Sequence, residues 1–271
     1  MRKIIFLDID GTLVNFDQTI PDSTIKALKE AKEKGHYLFI STGRSYPSIH
    51  KELLDLNLFD GIIASAGANI FWQGKEIYHS YLPQEKLTEL AKILDRHEAI
   101  YMFQGYNGRF IDAKNGERMT KHFKDHGFDI EKFSFFKQTV IESPYARDDI
   151  ESGVFHEAKV SLEEIQKEIG NDVKITALSF EDKNEDNSGE FTKAGVNKAT
   201  GIQFVLEYLE LSQKDSLAFG DSANDIEMIQ YAEVGVAMGN AIQEVKAVAD
   251  IITDNISEDG IYKAFKKLQL I

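Results

Sequence analysis

Lys3-Ile4-Ile5-Phe6-Leu7-Asp8-Ile9-Asp10-Gly11-Thr12 runs from a basic residue through an apolar block into two aspartates and a glycine. The block 3–7 is β-branched and apolar, continuous rather than alternating, and it ends abruptly at Asp8. That pattern predicts a strand of a parallel sheet covered on both faces. Ligands of such sheets sit beyond the carboxyl ends of the strands, which is where Asp8 and Asp10 fall. Were the strand to continue through both, their side chains would share a face. Two carboxylates there are expensive unless they bind a cation or exchange protons. The alternative is that they cap a turn, with Gly11 supplying the bend.

Outward from this stretch, short apolar runs alternate with helical patterns. Residues 22–34 follow Pro21 with Ile25, Leu28 and Ala31 at helical spacing, Asp22 or Ser23 as N-cap and Gly35 as C-cap. A strand at 37–40 leads to Ser41-Thr42-Gly43-Arg44, then to a helical pattern through Ile49, Leu53 and Leu56, and 61–64 is a third apolar run. The pattern changes near Leu82-Pro83. From there to about Asn187 two-faced strands (100–103, 173–180) mix with amphipathic helices (85–97, 117–127, 162–169). The polar run 181–189 reads as a linker or solvated loop. After Gly189 the first rhythm resumes: helix 198–209, strand 216–219, Gly220-Asp221, helix 225–232, strand 235–238 and helix 261–268. The expected fold is a doubly wound, parallel, Rossmann-like α/β core of residues 1–82 and 189–271, interrupted by an inserted α+β domain of residues 83–188.

The 271 residues suggest about two domains. With 31 Lys+Arg against 45 Asp+Glu the net charge is −14, which argues against nucleic acid or an anionic membrane as partner. The absence of cysteine excludes disulfides, thiolate metal sites and thiol nucleophiles. No apolar run approaches the ~18 residues of a membrane span. Asp8 and Asp10 break the only N-terminal stretch that resembles a signal-peptide core. A soluble, cytoplasmic protein is expected. Its seven histidines (36, 50, 79, 97, 122, 126, 156) are scattered without metal-ligand spacing.

Three further segments end strands as Asp8–Thr12 does: Ile40-Ser41-Thr42-Gly43-Arg44, Gly195-Val196-Asn197-Lys198 and Gly220-Asp221-Ser222-Ala223-Asn224-Asp225. Taken singly, each has an ordinary reading: a turn, a solvated lysine, a helix N-cap cluster. In this order and spacing they resemble the four motifs of the haloacid dehalogenase superfamily. The closer resemblance is to its Cof-type sugar-phosphatase branch, whose large cap domain is inserted between the second and third motifs. The resemblance covers the whole chain.

It implies specific roles. Asp8 is the nucleophile that forms an aspartyl-phosphate, and Asp10 the general acid that protonates the leaving alcohol and then the base that activates water. Mg²⁺ is held by Asp8, Asp221 and the main-chain carbonyl of Asp10, with Asp225 placed to hold a metal-bound water. Thr42 and the following amides at Gly43 receive phosphate oxygens. Lys198 brings a mobile positive charge to nucleophile and phosphate, Asn224 faces phosphate or substrate, and Arg44 supports the site or reaches substrate. The branch's usual Asn-Gly-Ala after the third strand is here Ala66-Gly67-Ala68, with Asn69 nearby. Met238-Gly239-Asn240-Ala241 and Lys246 match again, which places Asn240 near the phosphate. The implied activity is Mg²⁺-dependent hydrolysis of small phosphorylated metabolites, sugar phosphates by default. The inserted cap excludes water and chooses the leaving group. The same intermediate also serves a phosphotransferase or phosphomutase, and a non-catalytic phosphometabolite sensor is the reading from outside enzymology. Tyr101, Phe103, Tyr106 and Phe110 are either cap core or substrate contacts. The partner is a small phosphorylated molecule, and the choice between monomer and homodimer stays open.

Overall fold

The computed structural model describes residues 2–15, 17–126, 138–178 and 187–271. In chain order the elements begin β1 (Ile4–Leu7), α1 (Asp22–Glu33), β2 (Tyr37–Ser41), α2 (Lys51–Asp55), β3 (Gly61–Ala64), β4 (Asn69–Trp72) and β5 (Lys75–His79). They continue with α3 (Gln84–Arg96), β6 (Ile100–Gly105), β7 (Gly108–Ile111), α4 (Ala113–Asp125), β8 (Thr139–Val140), β9 (Ile150–His156), α5 (Leu162–Ile169), β10 (Val173–Ala177) and β11 (Gly189–Lys193). The chain closes through α6 (Lys198–Tyr208), β12 (Ser216–Gly220), α7 (Ile226–Tyr231), β13 (Val234–Ala237), α8 (Gln243–Val248), β14 (Ile251–Ile252) and α9 (Gly260–Lys267). Among the described residues no helix is long and apolar enough to cross a membrane.

These elements form two compact units. The first comprises Met1–Gly43, His50–Tyr78 and Asn197–Ile271. Its sheet has the order β14-β13-β12-β1-β2-β3-β4-β5. β1 is parallel to β12 on one side (Leu7 opposite Phe219) and to β2 on the other (Leu7 opposite Ile40). The chain therefore leaves β1 in one direction and returns on its far side, the switch point at which α/β sheets open a crevice. The unbroken apolar strands are explained by burial on both faces. Ile4, Phe6, Phe39 and Ala218 pack with Ile202, Val205 and Leu206 of α6, and Phe219 meets Phe265 of α9 edge-on with ring centroids 5.4 Å apart. The sheet is not wholly parallel, however: β4 runs antiparallel to β3. Neither β4 nor β5 was read from the sequence, because a tight local return carries no helical crossover to announce it.

The return is made at Ser65-Ala66-Gly67, with φ of 48°, 52° and 106°. Ala66 thus occupies the left-handed region, which asparagine tolerates better than alanine. This gives a physical reason for the asparagine that the resembling branch carries there. Gly67 is required outright, since a Cβ on it would stand 2.3 Å from the carbonyl oxygen of Asn197. Asn69 is fully buried at the start of β4.

The second unit comprises Arg44–Ile49 and His79–Val196, with a sheet of order β10-β11-β9-β6-β7-β8. One face packs Tyr101, Phe103, Phe110, Phe155 and Phe191 against Leu87, Leu90 and Leu94 of α3 and Ile165 and Ile169 of α5. Tyr101, Phe103 and Phe110 are therefore core. Tyr106 differs: it is exposed and stacks on Tyr46 with centroids 5.9 Å apart. Part of the opposite face packs Ile100, Met102 and Ile111 against Met119 of α4.

β11 lies in this second sheet, paired with β9 and β10, so residues 189–193 do not begin the returning core as the sequence pattern suggested. α4 starts four residues before the expected 117, because the Asp112 side chain accepts the Asn115 amide at 2.8 Å and caps it. The expected helix after Arg44 is instead a single tight turn at Tyr46–Ser48 followed by α2. The polar run 181–189 lies outside the described residues except for its last three. His122, on α4, brings its ring against those of His126, four residues on, and of His156 on β9, with tilted rings and centroids 4.3 and 4.5 Å away.

Gly67→Ala is expected to destabilise the protein by about 2–4 kcal/mol, from left-handed strain plus overpacking against α6. Urea denaturation measures it, and a loss under about 0.5 kcal/mol would contradict the close approach.

Candidate active site

The strand β1 ends at Leu7, and its central place in the sheet puts Asp8 beside the carboxyl end of β12. The Asp8 amide donates to the Phe219 carbonyl at 3.0 Å, and Asp221 follows β12 directly. The strand does not continue through Asp10. Residues 9–14 instead fold into a turn in which the amides of Leu13 and Val14 both donate to the Ile9 carbonyl. Gly11, at φ 84°, makes that turn, and a Cβ on it would lie 2.2 Å from Asp221 Oδ2. Thr12 Oγ1 donates to Asp221 Oδ1 at 3.0 Å. Asp10 is half-buried on this turn.

Lys198 opens α6, behind an Asn197–Thr200 capping box. Its side chain is wholly buried, and its three ammonium protons meet three acceptors: Asp8 Oδ1 at 2.6 Å, Asp225 Oδ1 at 2.5 Å and Asn224 Oδ1 at 3.0 Å. The charge expected to be mobile is therefore fixed. Burial alone would lower its pKa, but attraction to Asp225 and Asp8, with their hydrogen bonds, holds it above the ordinary lysine value.

Asp225 is fully buried and fully committed. Oδ1 accepts from Lys198, while Oδ2 accepts the amides of Asp221 and Ser222, each at 2.9 Å, and the Ser222 hydroxyl at 3.2 Å. A carboxylate has about four lone-pair positions. Oδ2 is thereby taken up, and Asp225 orients both Lys198 and the Asp221 backbone. The Asn224 carbonyl oxygen accepts from Lys198 and from the Ser222 hydroxyl.

One oxygen from each of Asp8, Asp221 and Asp225 lies within 4.8 Å of the others. Three buried carboxylates against one ammonium leave two charges uncompensated, the amount a divalent cation supplies. The donor set is hard oxygen throughout, so the triad fits such an ion. Without one, burial first, then repulsion from Asp225 and Asp10, raises the Asp8 pKa to about 7 against the pull of Lys198. Burial first, then Asp8 and Asp225, raises that of Asp221 to about 9.

The remaining expected residues divide. Thr42 is buried beside this cluster's sheet, its amide donating to Ile63 and its carbonyl accepting from Ala66. Gly43 follows it as the last residue of this segment of the first unit. Arg44 belongs to the second unit, where Nη1 donates to the Ser48 carbonyl at 3.2 Å. Asn240 spends its amide on the scaffold: Nδ2 donates to the Gly11 carbonyl at 2.8 Å and Oδ1 accepts from Ile256 at 3.0 Å. It thereby clamps the Asp10 turn. Sequence reading missed Thr12 as a partner of Asp221 and Ser222 as a partner of Asp225. The threonine after Gly11 and the Ser-x-x-Asp spacing were the available signals.

The geometry has counterparts. Residues 5–265 match the family of haloacid dehalogenase-like hydrolases. The 5-amino-6-(5-phospho-D-ribitylamino)uracil phosphatase YcsE of Bacillus subtilis (strain 168) is 32% identical over 97% of this chain and 94% of its own. YitU of the same organism, a phosphatase of the same name, is 29% identical over 97% of this chain and 96% of its own. The solved structure of the HAD subclass IIB sugar phosphatase BT4131 covers 99% of this chain and 100% of its own, at 32% identity and a TM-score of 0.84. The chain belongs to the haloacid dehalogenase-like hydrolases.

The raised carboxyls set a pH dependence. Unfolded, these groups titrate near 3.8; folded and without a cation, near 7 and 9. Their contribution to stability is therefore full below 3.8 and is lost as pH rises through the folded values. Chelated protein is expected to melt progressively below cation-loaded protein as pH rises from about 5 to about 9. Thermal denaturation with chelator and with a millimolar divalent salt checks this, and a gap that stays constant with pH would contradict it.

Proposed function

We propose that the protein is a Mg²⁺-dependent phosphatase of small phosphate monoesters that works through an aspartyl-phosphate on Asp8. Sugar phosphates and related polyol phosphates are the default substrates. The observation that carries this reading is the juxtaposition of Asp8 with buried Lys198 and Asp221 at neighbouring strand ends. The family and the phosphatase relatives support the same reaction class.

An Asp8 oxygen attacks phosphorus in line as the bond to the leaving alcohol breaks, and Asp10, as a carboxylic acid, gives that alcohol its proton. Asp10, now a carboxylate, takes a proton from water. That water attacks the same phosphorus, releasing inorganic phosphate and restoring Asp8. Lys198 fixes one Asp8 oxygen, so the other faces the substrate, and its charge lowers the repulsion between nucleophile and phosphate. Asp8, Asp221 and the Asp10 carbonyl would hold Mg²⁺, which supplies charge neutralisation at the phosphoryl oxygens. Thr42 and the amides near Gly43 receive phosphate oxygens. The second unit acts as the cap that selects the leaving group.

Purified protein is expected to hydrolyse p-nitrophenyl phosphate with Mg²⁺ and to stop on chelation. Asp8→Asn is expected to remove turnover, and Asp10→Asn to lower kcat by about 10²–10⁴. Phosphate release and burst kinetics measure both. Turnover retained in Asp8→Asn would overturn the assigned nucleophile.

A further inference from the structure

One side-chain amide reaches the Asp10 turn from a loop that is already fixed without it. The loop after β13, residues 238–242, is held by its main chain: the Met238 amide donates to the Gly220 carbonyl, the Gly239 amide to Asp254 and the Ile242 amide to Asp221, each at 3.0 Å. Lys246 Nζ donates to the Gly239 carbonyl at 2.6 Å. None of these bonds uses the Asn240 side chain. That side chain reaches out of the loop in two directions, with Nδ2 donating to the Gly11 carbonyl at 2.8 Å and Oδ1 accepting the Ile256 amide at 3.0 Å.

Its target is the residue after Asp10. The amides of Gly11, Thr12, Leu13 and Val14 all bond inside the segment 9–14, which sets the shape of the turn. Thr12 Oγ1 on Asp221 and Asn240 Nδ2 on Gly11 then join that turn to the loops after β12 and β13. On the other side of Asp10, Asp8 is fixed by Lys198. Asp10 therefore lies in a short span, two residues after one anchor and one before the other. The place calls for a group that donates on one side and accepts on the other, since Gly11 presents a carbonyl and Ile256 an N–H, and a primary amide does both. An error of about 1 Å at a reacting group costs up to about 10²-fold in rate.

We propose that Asn240 is a positioning residue for the proton transfers of Asp10; this rests on the phosphatase reading above. By holding the Gly11 peptide it keeps the Asp10 carboxyl within reach of the departing oxygen. As the bond from Asp8 to phosphorus forms and the bond to the leaving oxygen breaks, that oxygen takes the Asp10 proton. Loss of the hold slows this step according to how much the leaving group needs a proton. p-Nitrophenoxide is a stable anion near neutral pH and departs unaided, whereas phenoxide, a stronger base, depends on the acid. A plain loss of active protein lowers turnover of both esters alike.

Phenyl phosphate and p-nitrophenyl phosphate, assayed side by side with Mg²⁺, test this, because kcat/KM reports the steps up to departure of the leaving group. Asn240→Ala removes the amide, and the near-isosteric Asn240→Asp puts a carboxylate against the Gly11 carbonyl. Each is expected to lower kcat/KM about tenfold for phenyl phosphate and less than about twofold for p-nitrophenyl phosphate, a part of the ~10²–10⁴ that a general acid contributes. In an Asp10→Asn background, Asn240→Ala is expected to give no further selective loss, since it acts through Asp10. Equal losses with the two esters, no loss with either, or a selective loss that persists without Asp10 would overturn the proposal. Wild type that turns over p-nitrophenyl phosphate alone has no working acid and also overturns it, while the phosphatase reading stands. Wild type that turns over neither ester overturns both. Melting curves establish which variants fold, and where one does not, the other decides.

Discussion

A buried ammonium with three acceptors organises the first unit's strand ends. Lys198 reaches Asp8 from the start of α6, and Asn224 and Asp225 from the loop after β12. Lys198 and Asp8 are 190 positions apart in sequence. Removing one member of a buried charge pair costs about 3–5 kcal/mol, because the other charge is left uncompensated. The network therefore sets the geometry of Asp8 as much as it stabilises the fold. The aspartates form a graded set around it. Asp225, tied to Lys198 and to the Asp221 and Ser222 amides, is a counter-charge, and Asp8 and Asp221 carry the repulsion that a divalent ion would relieve.

Around that centre the backbone is braced by contacts that tolerate almost no side-chain volume. Gly11 lets Asp221 approach the turn, and Gly67 lets the return after β3 lie against Asn197. Asn240 joins the Gly11 carbonyl to Ile256, while the Ile242 amide holds the Asp221 carbonyl at 3.0 Å. These are hydrogen bonds between loops rather than within elements. They tie the strand ends to one another, and fixed donors of this kind are the condition for electrostatic preorganisation.

The second unit follows a different rule. Its sheet is antiparallel over most of its pairings, so its two faces carry separate chemistries. Aromatic packing fills one face, which is why three of the four aromatic candidates for substrate contact proved to be core. The other face carries an apolar patch under α4.

The sequence by itself determined the parallel centre of the first sheet, through continuous apolar runs that only two-sided burial explains. It also brought forward Asp8, Lys198, Asp221 and Asp225 through the order and spacing of four motifs, and the fold places these four side chains together. The sequence placed most helices, whose caps and spacing are local. Tertiary structure alone decided what each polar side chain does, since hydrogen-bond capacity is divided among neighbours distant in the chain. Asp225 and Lys198 are joined to one another, and Asn240 to the Gly11 carbonyl and the Ile256 amide, by that division. Tertiary structure also set the antiparallel return at β4, the place of β11 in the second sheet and the meeting of His156 with His122. Pairing between strands depends on register and partner, and neither is written in the residues of one strand.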